Sequence, residues 1–94
     1  MDFHHEEGPT KGRYWTDTGA ELSYSVAGTS MIIIDHTEVP RALAGQGVGL
    51  ALVTRAVEDA RAAGRSIVPL CPYALSQFKR HPDWHDVWNG GPKS

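Results

Sequence analysis

The chain has 94 residues, of which 40% are hydrophobic, and a formal net charge of −2 at pH 7. This length predicts a single small domain with one shared core. Lys and Arg form no long run, which argues against a nucleic-acid binder, and the longest apolar run, 31–34, is far too short to span a bilayer. A single cysteine, Cys71, rules out an internal disulfide and fits a reducing compartment. Because the acidic N-terminus lacks the apolar core of a signal peptide, we expect a cytoplasmic protein.

The first half of the chain predicts three strands joined by tight turns. Residues 1–12 are polar and contain chain breakers, so we expect a flexible leader there. A short strand is expected over 13–16. The stretch 21–26 alternates apolar and polar residues, which is typical of a half-buried strand. The stretch 31–39 is rich in β-branched residues and predicts the central strand, so the three segments together indicate an antiparallel meander.

The second half predicts a long helix, a strand and a second helix. The stretch 47–63 carries an apolar stripe, Gly64 is placed to end the helix, and 73–80 returns to helical character. The strand expected over 66–71 contains Pro69, which has no N–H to donate, so this strand should lack a partner on one side there. A last helical turn is expected over 83–88 and a flexible tail over 89–94. The stripe consists of Val48, Leu52, Val53, Ala56, Val57 and Ala60.

A glycine-rich loop stands between the third strand and the long helix. Residues 38–49 read E-V-P-R-A-L-A-G-Q-G-V-G, with glycines at 45, 47 and 49. Glycines allow positive φ and close approach of a ligand to the backbone, and the helix that follows offers free N–H groups. These features favour an anion cradle over a flexible connector. The loop ends in neither a Walker A Gly-Lys-Ser/Thr nor the dinucleotide pattern G-x-G-x-x-G, so both of those sites are excluded.

The stretches D-H-T-E-V-P, G-Q-G-V-G and V-P-L-C-P-Y-A, in this order, resemble the GNAT (GCN5-related) N-acetyltransferase superfamily, and more narrowly its small single-domain YjdJ-type members. The likeness covers roughly residues 13–82. It implies an α/β fold with a mainly antiparallel sheet, a splayed parallel strand pair, one long helix after the glycine loop and a shorter second helix. On this interpretation residues 13–88 form one acetyltransferase-like domain.

The resemblance implies acetyl-CoA as a cosubstrate, with its pyrophosphate bound at the signature Arg/Gln-x-x-Gly-x-Gly/Ala. Here the last three positions are Gly47, Val48 and Gly49, but the first is Ala44, so coenzyme binding should be weaker than in the family. Arg41 is a polar neighbour that could compensate in part. The residues expected to bind the coenzyme are Val39, Gly45, Gln46, Gly47, Val48, Gly49 and Leu50, with Ser76, Lys79 and Arg80 on the second helix for the 3′-phosphate.

Three residues are candidates for the chemistry of acetyl transfer. Cys71 matches the family motif and is either a nucleophile or an inert buried thiol. His36 and Glu38 alternate along the third strand and should share one face with Ile34, where either could act as a base. Tyr73 could protonate a departing thiolate, although packing at a helix start is the alternative that the sequence favours.

These observations predict an acetyl-CoA-dependent N-acetyltransferase that acts on a protein, peptide or small amine in an open acceptor site. The alternative is a non-catalytic module that binds coenzyme A or an acyl derivative. We expect no metal, since the histidines at 81 and 85 are separated by Pro82 and no second cluster completes a site. We also expect no nucleic-acid or membrane partner, and a monomer or weak dimer.

Overall fold

A computed structural model describes residues 2–91 of the chain. It contains one five-stranded sheet in the order β1-β2-β3-β4-β5, in which β1 to β4 pair antiparallel and β4 pairs parallel with β5. The predicted α/β fold, with a mainly antiparallel sheet and a parallel strand pair, is therefore confirmed. The elements are β1 His4–Glu7, β2 Lys11–Trp15, β3 Glu21–Ala27, β4 Met31–Glu38, a 3-10 turn Arg41–Leu43, α1 Val48–Ala63, β5 Ser66–Pro69, α2 Pro72–Arg80 and a 3-10 turn Pro82–Trp84.

Both helices contribute to a core on one face of the sheet. Leu22 and Tyr24 of β3 are buried there, as the alternation of apolar residues over 21–26 predicts, together with Ile32 and Ile34 of β4. All six residues of the predicted helix stripe are buried too, and α1 ends at Gly64 in the left-handed conformation, with φ +70°. This packing fixes the N-terminus of α1 beside the C-terminal end of β4, where the glycine loop connects the two.

The N-terminal residues differ from the sequence-based expectation of a flexible leader. Residues 4–7 form β1 and pair antiparallel with β2, and the Gly8 amide donates to the Lys11 carbonyl across the turn, 2.7 Å away. The expectation is wrong for these residues because β1 is held by polar contacts that leave no hydrophobic pattern. Arg65, which follows α1, donates two hydrogen bonds to the Glu7 carboxylate, at 2.7 and 2.9 Å.

The C-terminal segment also differs in detail. The 3-10 turn covers only Pro82–Trp84, whereas Trp88 forms an isolated parallel bridge with Ile67 of β5. The helical turn predicted over 83–88 is therefore wrong at its end, because Trp88 and the backbone of Asn89 pair with a strand that is distant in sequence. Of the tail predicted over 89–94, residues 92–94 lie outside the described part of the chain.

A β-bulge changes which side chains of β4 face the helices. Ser23 of β3 lies opposite His36 and Tyr24 lies opposite Ile34, so Asp35 is the extra residue on β4. On β4, the even-numbered residues Ile32 and Ile34, which precede the bulge, are buried. After the bulge His36 is exposed, and it is the odd-numbered Thr37 that lies opposite the buried Leu22 of β3. His36 and Glu38 therefore share one face, as predicted, but it is the exposed face and not the face that buries Ile34.

Candidate functional site

The parallel strands β4 and β5 separate at one end, as expected for the predicted splayed strand pair. Their last paired residues are Ile34 and Pro69, and the Cys71 amide then donates to the Ile34 carbonyl, 2.9 Å away. Beyond this point β4 continues to Glu38 whereas the chain after β5 turns into α2. In the part of the chain that the structure describes, β5 is the last strand of the sheet, which agrees with the expected missing partner beside Pro69.

The glycine loop lies at the open end of this split. The amides of Leu43, Ala44 and Gln46 are bonded to carbonyls within the loop, at 2.9 to 3.2 Å. Gly45 and Gly47 have φ of +81° and +76°, a conformation that favours glycine. At neither position would a side-chain Cβ have any atom within 4 Å, so the space above these two glycines is open.

Gly47 is the N-cap of α1, so the first amides of the helix lack intrahelical acceptors. These amides and the positive end of the helix dipole favour a negative group in the open space above the loop. The local geometry therefore fits a phosphate, which supports the predicted anion cradle.

A cleft of about 500 Å³ joins the loop to the split between the strands. Its walls come from the end of β4, the loop, the first turn of α1 and one side of α2. The cleft is lined by Thr37, Val39, Leu43, Ala44, Gly45, Gly47, Val48, Gly49, Leu50, Tyr73, Gln77 and Arg80.

Most of the residues predicted to bind the coenzyme line this cleft, and three do not. The exceptions are Gln46, Ser76 and Lys79; the Ser76 hydroxyl instead donates to the Tyr73 carbonyl of its own helix, 2.7 Å away. Arg80 is the cation that α2 contributes to the lining. The seven predicted residues that line the cleft are Val39, Gly45, Gly47, Val48, Gly49, Leu50 and Arg80.

The three candidates for the chemistry occupy two different environments. Cys71 is the N-cap of α2 and only 5% exposed, and its thiol lies 3.7 Å from the Thr37 hydroxyl. His36 and Glu38 lie on the opposite face of the sheet, where Nε2 of His36 is 3.4 Å from Oε1 of Glu38 and both side chains are more than half exposed. None of the three lines the cleft itself.

Sequence reasoning did not single out Thr37, Leu43 or Gln77, and it favoured packing for Tyr73. The structure places Tyr73 in the wall of the cleft, 38% exposed, with burial as the main cause of its raised pKa. Thr37 could not be found from the period-two pattern because the bulge at Asp35 reverses that pattern. Its position inside D-H-T-E-V-P was the one available signal.

Within residues 2–91, no group of three or more His, Cys, Asp or Glu side chains is arranged to hold a metal ion. His81 instead stacks on Trp84, with ring centroids 4.1 Å apart, and contacts the Gln77 carbonyl through Nδ1. None of the helices in the described residues has the length and apolar character needed to cross a membrane.

Comparison with known proteins agrees with this geometry. A family model described as GCN5-related N-acetyl-transferase matches residues 13–87. Among solved structures, the chain is similar to the NMR solution structure of a GCN5-like candidate N-acetyltransferase from Staphylococcus aureus. The TM-score is 0.71 and the identity 30%, over 95% of this chain and 90% of that chain. None of the curated proteins compared with this chain matches it.

Proposed function

Because the chain belongs to the GCN5-related N-acetyltransferase family, we propose that it transfers an acetyl group from acetyl-CoA to an amine. One observation carries the proposal. The split between β4 and β5 opens into a cleft that ends at the glycine loop, where no side chain covers the backbone of Gly45 and Gly47, and at the N-terminus of α1. A long ligand with a phosphate group at one end and a reactive group at the other fits such a cleft.

The pyrophosphate of the coenzyme belongs at the loop. The backbone amides of Gly45, of Gly47 and of residues 48–50 would donate to its oxygens, and the dipole of α1 adds to the attraction. The Gln46 amide already donates to the Leu43 carbonyl. Arg80, in the wall of the cleft, is our candidate for a second phosphate contact. Ala44 also lines the cleft but offers no donor from its side chain, so we expect the affinity to depend mainly on the backbone.

The pantetheine arm would extend from the loop into the split. Val39 lines the cleft directly beyond the end of β4 and is the backbone position that we propose as its partner. The thioester then reaches the region of Thr37, where β4 no longer pairs with β5.

We propose direct transfer as the mechanism. The amine nitrogen attacks the thioester carbonyl carbon, the C–S bond breaks, and the departing thiolate takes a proton. Tyr73 is our candidate donor because it lines the cleft and because a phenol is protonated at neutral pH. The amine would approach from the open face of the sheet, where His36 or Glu38 could accept its proton.

An acyl-enzyme on Cys71 is the less favoured mechanism, since the thiol is almost fully buried and donates to the Thr37 hydroxyl. Cys71→Ser should therefore retain turnover, and incubation with acetyl-CoA alone should leave the protein unacetylated in intact-mass spectrometry. An acetylated wild-type protein that passes its acetyl group to an added amine, together with an inactive serine variant, would establish the acyl-enzyme instead.

A non-catalytic coenzyme-binding module is the second candidate, favoured by Ala44 in the signature position. One experiment separates the two. The protein is titrated with acetyl-CoA while NMR follows the amides of 45–50, and thioester loss is measured with a panel of small amines and lysine peptides. Binding together with amine-dependent thioester loss supports the enzyme. Binding without loss for every amine supports the module, and unchanged loop amides contradict both.

A further inference from the structure

Thr37 lines the cleft at its inner end, away from the glycine loop. Proceeding inward from the glycine loop, the lining residues on β4 and its extension are first Val39 and then Thr37. Two residues along a strand span about 6.7 Å, so Thr37 lies one step deeper in the split than Val39. Thr37 is therefore the lining residue on β4 that lies farthest from the loop.

A buried group contacts Thr37. The Cys71 thiol donates to the Thr37 hydroxyl across 3.7 Å, and Cys71 is only 5% exposed. The position of Cys71 is fixed because its amide is bonded to the carbonyl of Ile34, a fully buried residue. Thr37 is thus in contact with a residue of the packed core.

We infer that Thr37, backed by Cys71, limits the length of the acyl group that the cleft accepts, and so makes acetyl-CoA preferred over longer straight-chain acyl-CoAs. The inference rests on the proposed function, because it requires the thioester to lie inward of Val39. The acyl carbons then point at the Thr37 side chain. Extra methylene groups would have to displace Thr37 or Cys71 from a packed core, and such overpacking is unfavourable.

Binding measurements test the size limit directly. Dissociation constants of coenzyme A, acetyl-CoA and butyryl-CoA are measured by calorimetry for the wild type and for Thr37→Ala. We expect the wild type to bind butyryl-CoA at least about tenfold more weakly than acetyl-CoA, which is a typical effect of a size mismatch in an apolar pocket. In Thr37→Ala the two ligands should differ by no more than about threefold, because the shorter side chain leaves room for the butyryl group.

Thr37→Val is the matched control, since valine has nearly the shape of threonine but lacks the hydroxyl. If volume sets the limit, this variant keeps the wild-type preference for acetyl-CoA. Loss of the preference in Thr37→Val as well as in Thr37→Ala would assign it to the hydroxyl and overturn the size argument.

The thiol supplies a second readout that does not depend on acyl-CoA preference. Cys71 is the single cysteine of the chain, so a thiol reagent reports on one site. We expect modification of the folded wild type and of Thr37→Val to be slow. Modification of Thr37→Ala should be at least about tenfold faster, because the shorter side chain makes the thiol more accessible to the reagent. Saturating acetyl-CoA should slow this modification again by covering the same site. Equal rates in all three proteins would contradict the inference.

The failures of the two proposals can be told apart. If the wild type binds acetyl-CoA and butyryl-CoA equally well, the size limit is wrong and the proposed function stands. If neither ligand nor coenzyme A binds, the proposed function is wrong and the inference is wrong with it. Circular dichroism of each variant ensures that only folded proteins are compared.

Discussion

Tyr73 lies directly against Gly49, so that the first turns of α1 and α2 contact each other beside the cleft. A methyl group at position 49 would lie 2.9 Å from the phenol oxygen of Tyr73 and 3.0 Å from the ring carbon that carries it. Gly49 is the second residue of α1 and Tyr73 the second of α2. A glycine inside a helix costs about 1 kcal/mol relative to alanine, and here this close approach explains its presence.

Gly49→Ala should therefore weaken acetyl-CoA binding by about three- to tenfold, although alanine is the better helix former. The added methyl group displaces the Tyr73 ring from the wall of the cleft. Calorimetry of Gly49→Ala, Tyr73→Ala and the double variant checks this result. We expect a coupling free energy of about 1 kcal/mol between the two positions; additive effects would show that the contact does not matter for binding.

Gly47→Val should weaken coenzyme binding by more than about tenfold, or 1.4 kcal/mol, because the side chain would occupy the open space above the loop. Gly64→Val is a matched control. Gly64 has a similar φ of +70° and equally open surroundings but lies at the other end of α1. Both variants should lose stability by about 1–2 kcal/mol through backbone strain. If the two lower the affinity equally, the loss comes from strain and the loop is not the binding site.

Ala44→Arg restores the family signature and should tighten acetyl-CoA binding by about three- to tenfold, since a guanidinium forms charge-assisted bonds with phosphate. The affinity of this variant should also fall more steeply with ionic strength. The control is Ala42→Arg, which adds the same charge at an exposed position of the 3-10 turn that does not line the cleft. Unchanged affinity in Ala44→Arg would mean that the phosphates bind elsewhere.

Because of Glu7, the free energy of unfolding should vary with pH in the acidic range. The two hydrogen bonds from Arg65 are the main cause that lowers the Glu7 pKa from 4.5 to about 2, with a further bond from the Tyr24 hydroxyl. Because the pKa is lower in the folded state, this stabilisation is fully present above pH 4.5 and is lost as the pH falls from 4.5 towards 2. Glu7→Gln should therefore reduce the free energy of unfolding by about 1 kcal/mol at pH 7, less than the pKa shift by itself implies, because solvent screens the ion pair of an exposed residue.

Urea unfolding at a series of pH values measures this dependence. The difference between wild type and Glu7→Gln should shrink towards zero near pH 2. The control Glu58→Gln changes an exposed carboxylate on α1 and should alter the free energy of unfolding by no more than about 0.5 kcal/mol at any pH. A difference that stays constant with pH would show that the charge of Glu7 does not cause the effect.

The amino-acid sequence by itself determined the parts of the protein whose signals are local. The apolar stripe of α1 and strand β3 follow from periodicity, strand β4 follows from its β-branched residues, and the glycine loop and the end of α1 at Gly64 follow from the special conformations of glycine. The family follows from short motifs in a fixed order. Each of these features depends on residues close together in the chain, which is why it could be read without coordinates.

Only the tertiary structure decided the features that depend on distant partners. Strand β1 has no apolar pattern, and Arg65, far along the chain, is among the contacts that hold it. The bulge at Asp35 depends on the register between β3 and β4, and this register directs Thr37 towards the helices and His36 away from them. Burial of Cys71 against Thr37 likewise arises only when β4 and the start of α2 come together. A period-two pattern records alternation along one strand, but the face that each residue occupies is set by the neighbouring strand.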